Sequence, residues 1–195
     1  MRLRSNEVIC VFGRKGSGKS YWIKQHLAKI PARQSLWVWD PVSEYAGPSA
    51  EVPLHSGSLF YSMRSMLEAA KAGKLGKRVV LQAPRAEFDL FCTFAYRTGR
   101  VTVVVDEINL FCSPSKCPAP LLELLRIGRH AEVDLIFAAR RPAEVSRDLT
   151  AQSDKTVVFK TIEPADLDFF SKVCGKAFAE RLPNLAQYRP ELWKG

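Results

Sequence analysis

The chain has 195 residues, 47% of them hydrophobic, enough to bury one core, so one domain over residues 1–195 is expected. A formal net charge of +9 favours polyanionic partners, nucleic acid or anionic lipid. Five cysteines, odd in number and mostly set in apolar segments, fit reduced thiols better than a disulfide framework, and no run approaches the roughly 20 apolar residues of a membrane span.

The chain opens on MRLRSNEVICVF, basic at first, but its apolar stretch Val8 to Phe12 is too short for a signal-peptide core and is predicted to be a strand. GRKGSGKS follows at 13–20 and matches G-x-x-x-x-G-K-[ST], between that strand and an amphipathic helix predicted over Lys19 to Ala28. Glycines in such a loop let the backbone curl until its N–H groups face phosphate oxygens at the positive end of the helix. Gly13, Arg14, Lys15, Gly16, Ser17, Gly18, Lys19 and Ser20 are therefore candidate ligands for the phosphates of ATP. Lys19 is expected to reach the β- and γ-phosphates and Ser20 to hold Mg²⁺.

Leu36 to Asp40 is the second predicted strand, with Trp37 and Trp39 as core residues rather than stacking platforms. A helix is predicted over Leu59 to Ala72. KAGKLGKR (71–78) comes next, its Lys71, Lys74, Lys77 and Arg78 either a mobile basic loop or a solvated helix end. Strand Arg78 to Gln82 and helix Glu87 to Arg97 lead to VTVVVDEI, a β-branched run too apolar for an exposed strand that stops abruptly at two carboxylates. Asp106, at the strand tip, is a second candidate Mg²⁺ ligand, and Glu107 a candidate base for an attacking water. Cys112 and Cys117 form a C-x4-C pair, but structural zinc normally takes four ligands and the sequence has no second pair. A helix over Ala119 to Arg129, strands Asp134 to Ala138 and Thr156 to Lys160, and a helix from Pro164 to Val173 complete the reading. Alternating strands and helices of this kind predict an α/β fold with a mostly parallel, doubly wound sheet.

A guanine-reading Asn-Lys-x-Asp element is absent, and a small-molecule kinase has less use for the second acid, so ATP hydrolysis is the expected chemistry. In enzymes of this kind the γ-phosphate sensor strand lies between the strand bearing the phosphate loop and the strand bearing the acids. VDLIFAA (133–139) is the candidate, which puts Arg140 beside the triphosphate. Arg129 lies at the other end of that strand, roughly 25–35 Å away along an extended chain. It is better placed to act on a neighbouring subunit's nucleotide, although a positive last helical turn has the same sequence.

Gly13 to Ser20, WDPVSEY (39–45), VVVDEI (103–108) and GRHAEVDLIFAARRPAEVSRDLTAQSD (128–154) together resemble the FtsK/HerA superfamily of P-loop ATPases, most closely its small genome-packaging members from internal-membrane-containing tailless icosahedral viruses. The resemblance covers most of the chain from residue 8 to about 170. It implies a three-layer α-β-α RecA-like P-loop NTPase fold. It also implies sequence-independent translocation of double-stranded DNA, self-association into a hexameric ring, and docking on a capsid vertex or a membrane protein of the virion, in the host cytoplasm and at the packaging vertex. From it Arg129 matches the trans-acting arginine, and Arg141-Pro142 the pair after the sensor. Asp40 and Glu44 match an acidic strand-end pattern near the nucleotide, although Asp-Pro after a strand is also an ordinary turn. Position 140, usually glutamine in that pattern, is here arginine. The alternatives are a conjugation or filamentous-phage secretion ATPase, a monomeric P-loop small-molecule kinase, and a slow nucleotide switch.

Overall fold

Wherever the sequence offers an uninterrupted β-branched or aromatic run, the computed structural model, which describes residues 6–46 and 58–195, forms a strand buried on both faces. In chain order the strands are β1 (Val8–Phe12), β2 (Ser35–Trp39), β3 (Ser58–Phe60), β4 (Arg78–Leu81), β5 (Val101–Val105), β6 (Asp134–Ala139), β7 (Lys155–Val158) and β8 (Glu191–Lys194). They form one sheet in the order β3-β4-β2-β5-β6-β1-β7-β8. All neighbours pair in parallel except β7 and β8, which are antiparallel. The helices are α1 (Lys19–Leu27), α2 (Met63–Lys71), α3 (Phe88–Thr98), α4 (Ala119–Ile127), α5 (Arg147–Ala151), α6 (Pro164–Cys174) and α7 (Lys176–Arg181).

Successive strand residues point to opposite faces, and the core divides accordingly. Val8, Cys10 and Phe12 of β1 share one cluster with α2, α3, α4, α6 and α7; Ile9 and Val11 share the other with Ile23 and Leu27 of α1. These are the three layers expected. Trp37 and Trp39 lie within the larger cluster, 2% and 0% exposed, as expected of core residues. Trp39 packs on Phe88, Phe91 and Phe111, and Phe88 stacks on Phe111 at 4.2 Å between ring centroids.

Three differences from the expected elements have local causes. Leu59 and Phe60 belong to β3 and not to the following helix, because Ser62 is extended and its side chain accepts from Ser65 N, starting α2 at Met63. Helix α4 ends at Ile127, and Gly128–Ala131 tightens into a 3₁₀ turn, so Arg129 sits in that turn. Elements α5, α7 and β8 were not expected. α5 is five residues long and depends on its Ser146 cap, α7 begins after Gly175 at φ 94°, and β8 carries charged residues at both ends.

Phe170 is fully buried and meets Phe12, Phe169 and Phe178 edge-on. Phe170→Ala should cost about 3–5 kcal/mol of unfolding free energy, read from urea denaturation midpoints, because the cavity lies where α6 clamps β1.

Candidate active site

A parallel sheet opens all its C-terminal strand ends on one edge, where ligands of such folds bind. Because β5, β6 and β1 are neighbours, that edge brings together Asp106 and Glu107, Arg140, and the loop 13–18. The loop is shaped by its glycines. A Cβ at Gly13 would lie 2.5 Å from Ser17 Oγ and 2.8 Å from Phe159 Cβ, and Gly18, the N-cap of α1, has φ 101°. No side chain caps α1 and its first turn holds no acid, so the positive end of the helix is left to an outside anion. Ser17 Oγ is buried without a hydrogen-bond partner. Lys19, 7% exposed, donates to Gly13 O at 2.7 Å and Arg14 O at 3.2 Å, folding the loop around its ammonium. Burial lowers its pKa, opposed by the charges of Glu107 and Asp106.

Beside the loop is a cleft of about 520 Å³ that Lys19, Ser20, Glu44, Asp106 and Glu107 line. Asp106 is 2% exposed and accepts from Glu107 N at 2.9 Å; burial, reinforced by the Glu107 charge, raises its pKa to about 6. Glu107 is held in the left-handed region at φ 48°, a conformation a glutamate adopts at a cost, and its Oε2 is buried with no partner. A hydroxyl, a desolvated carboxylate and a second carboxylate oxygen lacking a donor form an oxygen set that suits a small hard cation such as Mg²⁺. Ser20 and Asp106 are the residues that could hold it. Tyr45 is buried, its hydroxyl without a hydrogen-bond partner among the described residues, and burial together with Asp106 and Asp40 pushes its phenol well above the usual range.

Arg140 directly follows β6, which lies between β1 and β5 as expected of the sensor strand. Its Nε stands 3.4 Å from Glu107 Oε1. Arg141 turns the other way, to Asp166 at 3.2 Å and Glu163 at 3.6 Å, on the wall of a smaller cavity of about 160 Å³ that Arg14 and Arg140 also line. Asp40 does not line the larger cleft. Fully buried, it accepts from Glu44 N, Tyr45 N and Gln82 Nε2, so it closes the turn after β2, while Glu44 faces the cleft.

The remaining basic candidates lie at the other edge of the sheet. Arg129 precedes β6, is exposed, and pairs with no carboxylate among the described residues. Lys71, Lys74 and Lys77 are exposed in the segment leading into β4, whereas Arg78 donates to Ile30 O at 2.7 Å and so braces the sheet. Sequence reasoning missed Tyr21, Val42 and Tyr188, three exposed apolar residues on the rim of the cleft. Tyr188 has φ 62°, and its ring would be 3.1 Å from a Cβ at Gly18. Tyr21 directly follows the loop motif, which was a usable signal. Tyr188 reaches the loop only because β8 pairs with β7, and nothing near it in the sequence announces that.

The raised pKa of Asp106 fixes a sign. Its carboxylate costs folding energy once ionised, so the penalty is absent below about pH 4 and complete above about pH 6 to 7. In metal-free solution Asp106→Asn should therefore be more stable than the parent by about 3 kcal/mol at pH 8, and the gap should close below about pH 4, in urea titrations with chelator present.

No protein-family model and no curated protein matches the chain. Solved structures do. The genome packaging NTPase B204 from Sulfolobus turreted icosahedral virus 2, in complex with AMPPCP, matches with a TM-score of 0.81 at 23% identity, over 96% of this chain and 92% of that one. B204, the DNA-packaging ATPase from Sulfolobus turreted icosahedral virus, gives 0.72 at 22% identity, over 98% of both chains. The pCW3 conjugation coupling protein TcpA gives 0.63 at 14% identity, over the whole of this chain and 59% of that one. The structures similar to this chain thus include viral packaging ATPases and a conjugation coupling protein, in keeping with the FtsK/HerA resemblance of its motifs, and its fold is the α/β P-loop ATPase fold they share.

Proposed function

We propose that the chain is an ATPase of the FtsK/HerA type that works as a hexameric ring and drives double-stranded DNA into a viral capsid. The observation that carries this reading is the meeting, on one sheet edge, of an uncapped helix end, a buried lysine, two acids and an arginine from three adjacent strands. The similar B204 structures, in complex with AMPPCP and with ATP-gammaS, support a nucleotide in this cleft.

The residues divide the work by position. Backbone N–H groups of residues 13–20 and the Lys19 ammonium hold the β- and γ-phosphates. Ser20 and Asp106 would hold Mg²⁺, which when bound neutralises charge on the phosphate oxygens. Glu107 orients the attacking water and accepts its proton as the bond from oxygen to the γ-phosphorus forms and the bond to the β-phosphate oxygen breaks. Arg140 offers five donors where the motif usually has an amide, and a triphosphate competes with Glu107 for them. Arg129, remote from its own cleft and exposed, serves the nucleotide of the adjacent subunit.

The charge of +9 and the exposed Lys71, Lys74 and Lys77 suit contact with the phosphate backbone without base reading. No helix among the described residues is long and apolar enough to cross a membrane. A capsid or membrane protein of the virion vertex is the docking partner of this reading. A conjugation or secretion motor would keep the same site. Packaging is favoured because the viral neighbours match the fold with TM-scores of 0.81 and 0.72, against 0.63 for TcpA.

The test is hydrolysis of ATP with and without duplex DNA. Glu107→Gln and Arg129→Ala should each lose at least about a hundredfold of DNA-stimulated turnover. An equimolar mixture should regain a measurable part, because an intact Glu107 then faces an intact Arg129 across a subunit boundary. Parental turnover by Arg129→Ala, indifferent to DNA, would instead indicate a monomeric small-molecule kinase.

A further inference from the structure

The loop between β5 and α4 holds a feature that nucleotide chemistry does not use. Ser113 and Lys116 exchange both backbone hydrogen bonds, at 2.9 and 3.3 Å, around Pro114 and Ser115, so SPSK is a two-residue hairpin. Cys112 and Cys117 flank it. They form the next cross-strand pair, of the kind without backbone hydrogen bonds, in which Cα atoms lie about 4.5 Å apart and side chains are closest. That separation falls in the range from about 4.4 to 6.8 Å that disulfides span. The two sulfurs are 2.7 Å apart and share a hydrogen bond.

Two thiols are half of a tetrahedral zinc set, and among the described residues no cluster of three potential ligands forms. We infer that Cys112 and Cys117 are the site of a reversible intramolecular disulfide, formed by exchange with a small-molecule disulfide such as oxidised glutathione. Cys112 is buried, while Cys117 is partly exposed. The shared hydrogen bond lowers the Cys112 pKa and raises that of Cys117, so the pair ionises first at Cys112, losing one proton to solvent. The thiolate of the pair attacks one sulfur of the reagent, whose S–S bond breaks and releases one small thiolate. The remaining thiol gives its proton to that thiolate, attacks the protein sulfur of the mixed disulfide and displaces the second small thiolate, which takes a proton from solvent. The protein dithiol is oxidised and the reagent is reduced to two small thiols.

The other three cysteines are poorly placed for this exchange. Cys10 and Cys92 are buried and Cys174 is half-buried, and burial raises the pKa of all three. The cross-link would fasten the turn behind Asp106 and Glu107, where Cys112 N donates to Ile108 O at 2.9 Å, to the start of α4 just past Pro118. The inference does not depend on the nucleotide reading.

The test treats the full chain with oxidised glutathione, then maps alkylated and cross-linked peptides. A loss of about 2 Da, a Cys112–Cys117 linked peptide and alkylation of the other three cysteines are expected. The melting midpoint should rise by roughly 4–8 °C over the reduced protein, and dithiothreitol should reverse it. Cys117→Ser should show neither the mass loss nor the rise. The comparison of oxidised with reduced parent stands even if that variant folds poorly. A lasting glutathione adduct on Cys112 or Cys117, a link between any other pair, or no change in mass would overturn the assignment.

Discussion

Opposite charges desolvated together on one sheet edge are the constraint around which the rest of the molecule is arranged. Lys19 and Asp106 are 7% and 2% exposed, and burial shifts each toward its neutral form, lowering the lysine and raising the aspartate. Neither has a full complement of protein partners. The ammonium rests on two loop carbonyls, and the carboxylate on one backbone N–H. Such a site is paid for by the surrounding core, whose two clusters clamp β1 and β5 from both faces and hold their C-terminal ends side by side. A bound polyanion and a cation would satisfy both charges at once, which is why the geometry favours a metal-bound polyphosphate over either partner alone.

The Arg140–Glu107 pair belongs to a different energetic class. Arg140 is 52% exposed at its side chain and Glu107 15%, so solvent screens the contact, and it is worth at most about 1 kcal/mol. A weak pair can be exchanged. A triphosphate carries several charges and would compete with a single carboxylate for the guanidinium, leaving Glu107 Oε1 available to water. The left-handed backbone at Glu107 keeps the carboxylate at the cleft in either arrangement, since the strain fixes its direction independently of the partner. An arginine at this position thus offers guanidinium donors to an anion in the cleft and a contact with the neighbouring acid.

Much of this was legible in the sequence because buried parallel strands need continuous apolar runs, and all six predicted strands rest on such runs. The phosphate loop was legible because its glycines answer to backbone geometry, as the close approach at Gly13 and the positive φ at Gly18 bear out. What escaped was set by tertiary contacts. β3 has three residues and β8 four, too short for a periodic signal, and both lie at the sheet margins, where one flanking strand defines them. Tyr188 reaches the cleft only through β8. Asp40 stayed open in the sequence because a strand-end acid reads alike whether it faces a ligand or closes a turn, and its three hydrogen-bond donors favour the turn.

Strand β6 makes sense of positive charge at both ends of a buried segment. Its six residues span about 20 Å, with Arg140 at the nucleotide edge and Arg129 in the turn that precedes its opposite end. Between them, Leu135 to Ala139 are buried, and Leu135 to Phe137 are paired on both sides, to β5 and β1, so the strand cannot slide without carrying its neighbours. In the proposed ring the end of this strand would present Arg140 to its own nucleotide, and the turn leading into the strand would present Arg129 toward the adjacent one. The buried run between them sets how far apart the two cationic ends lie.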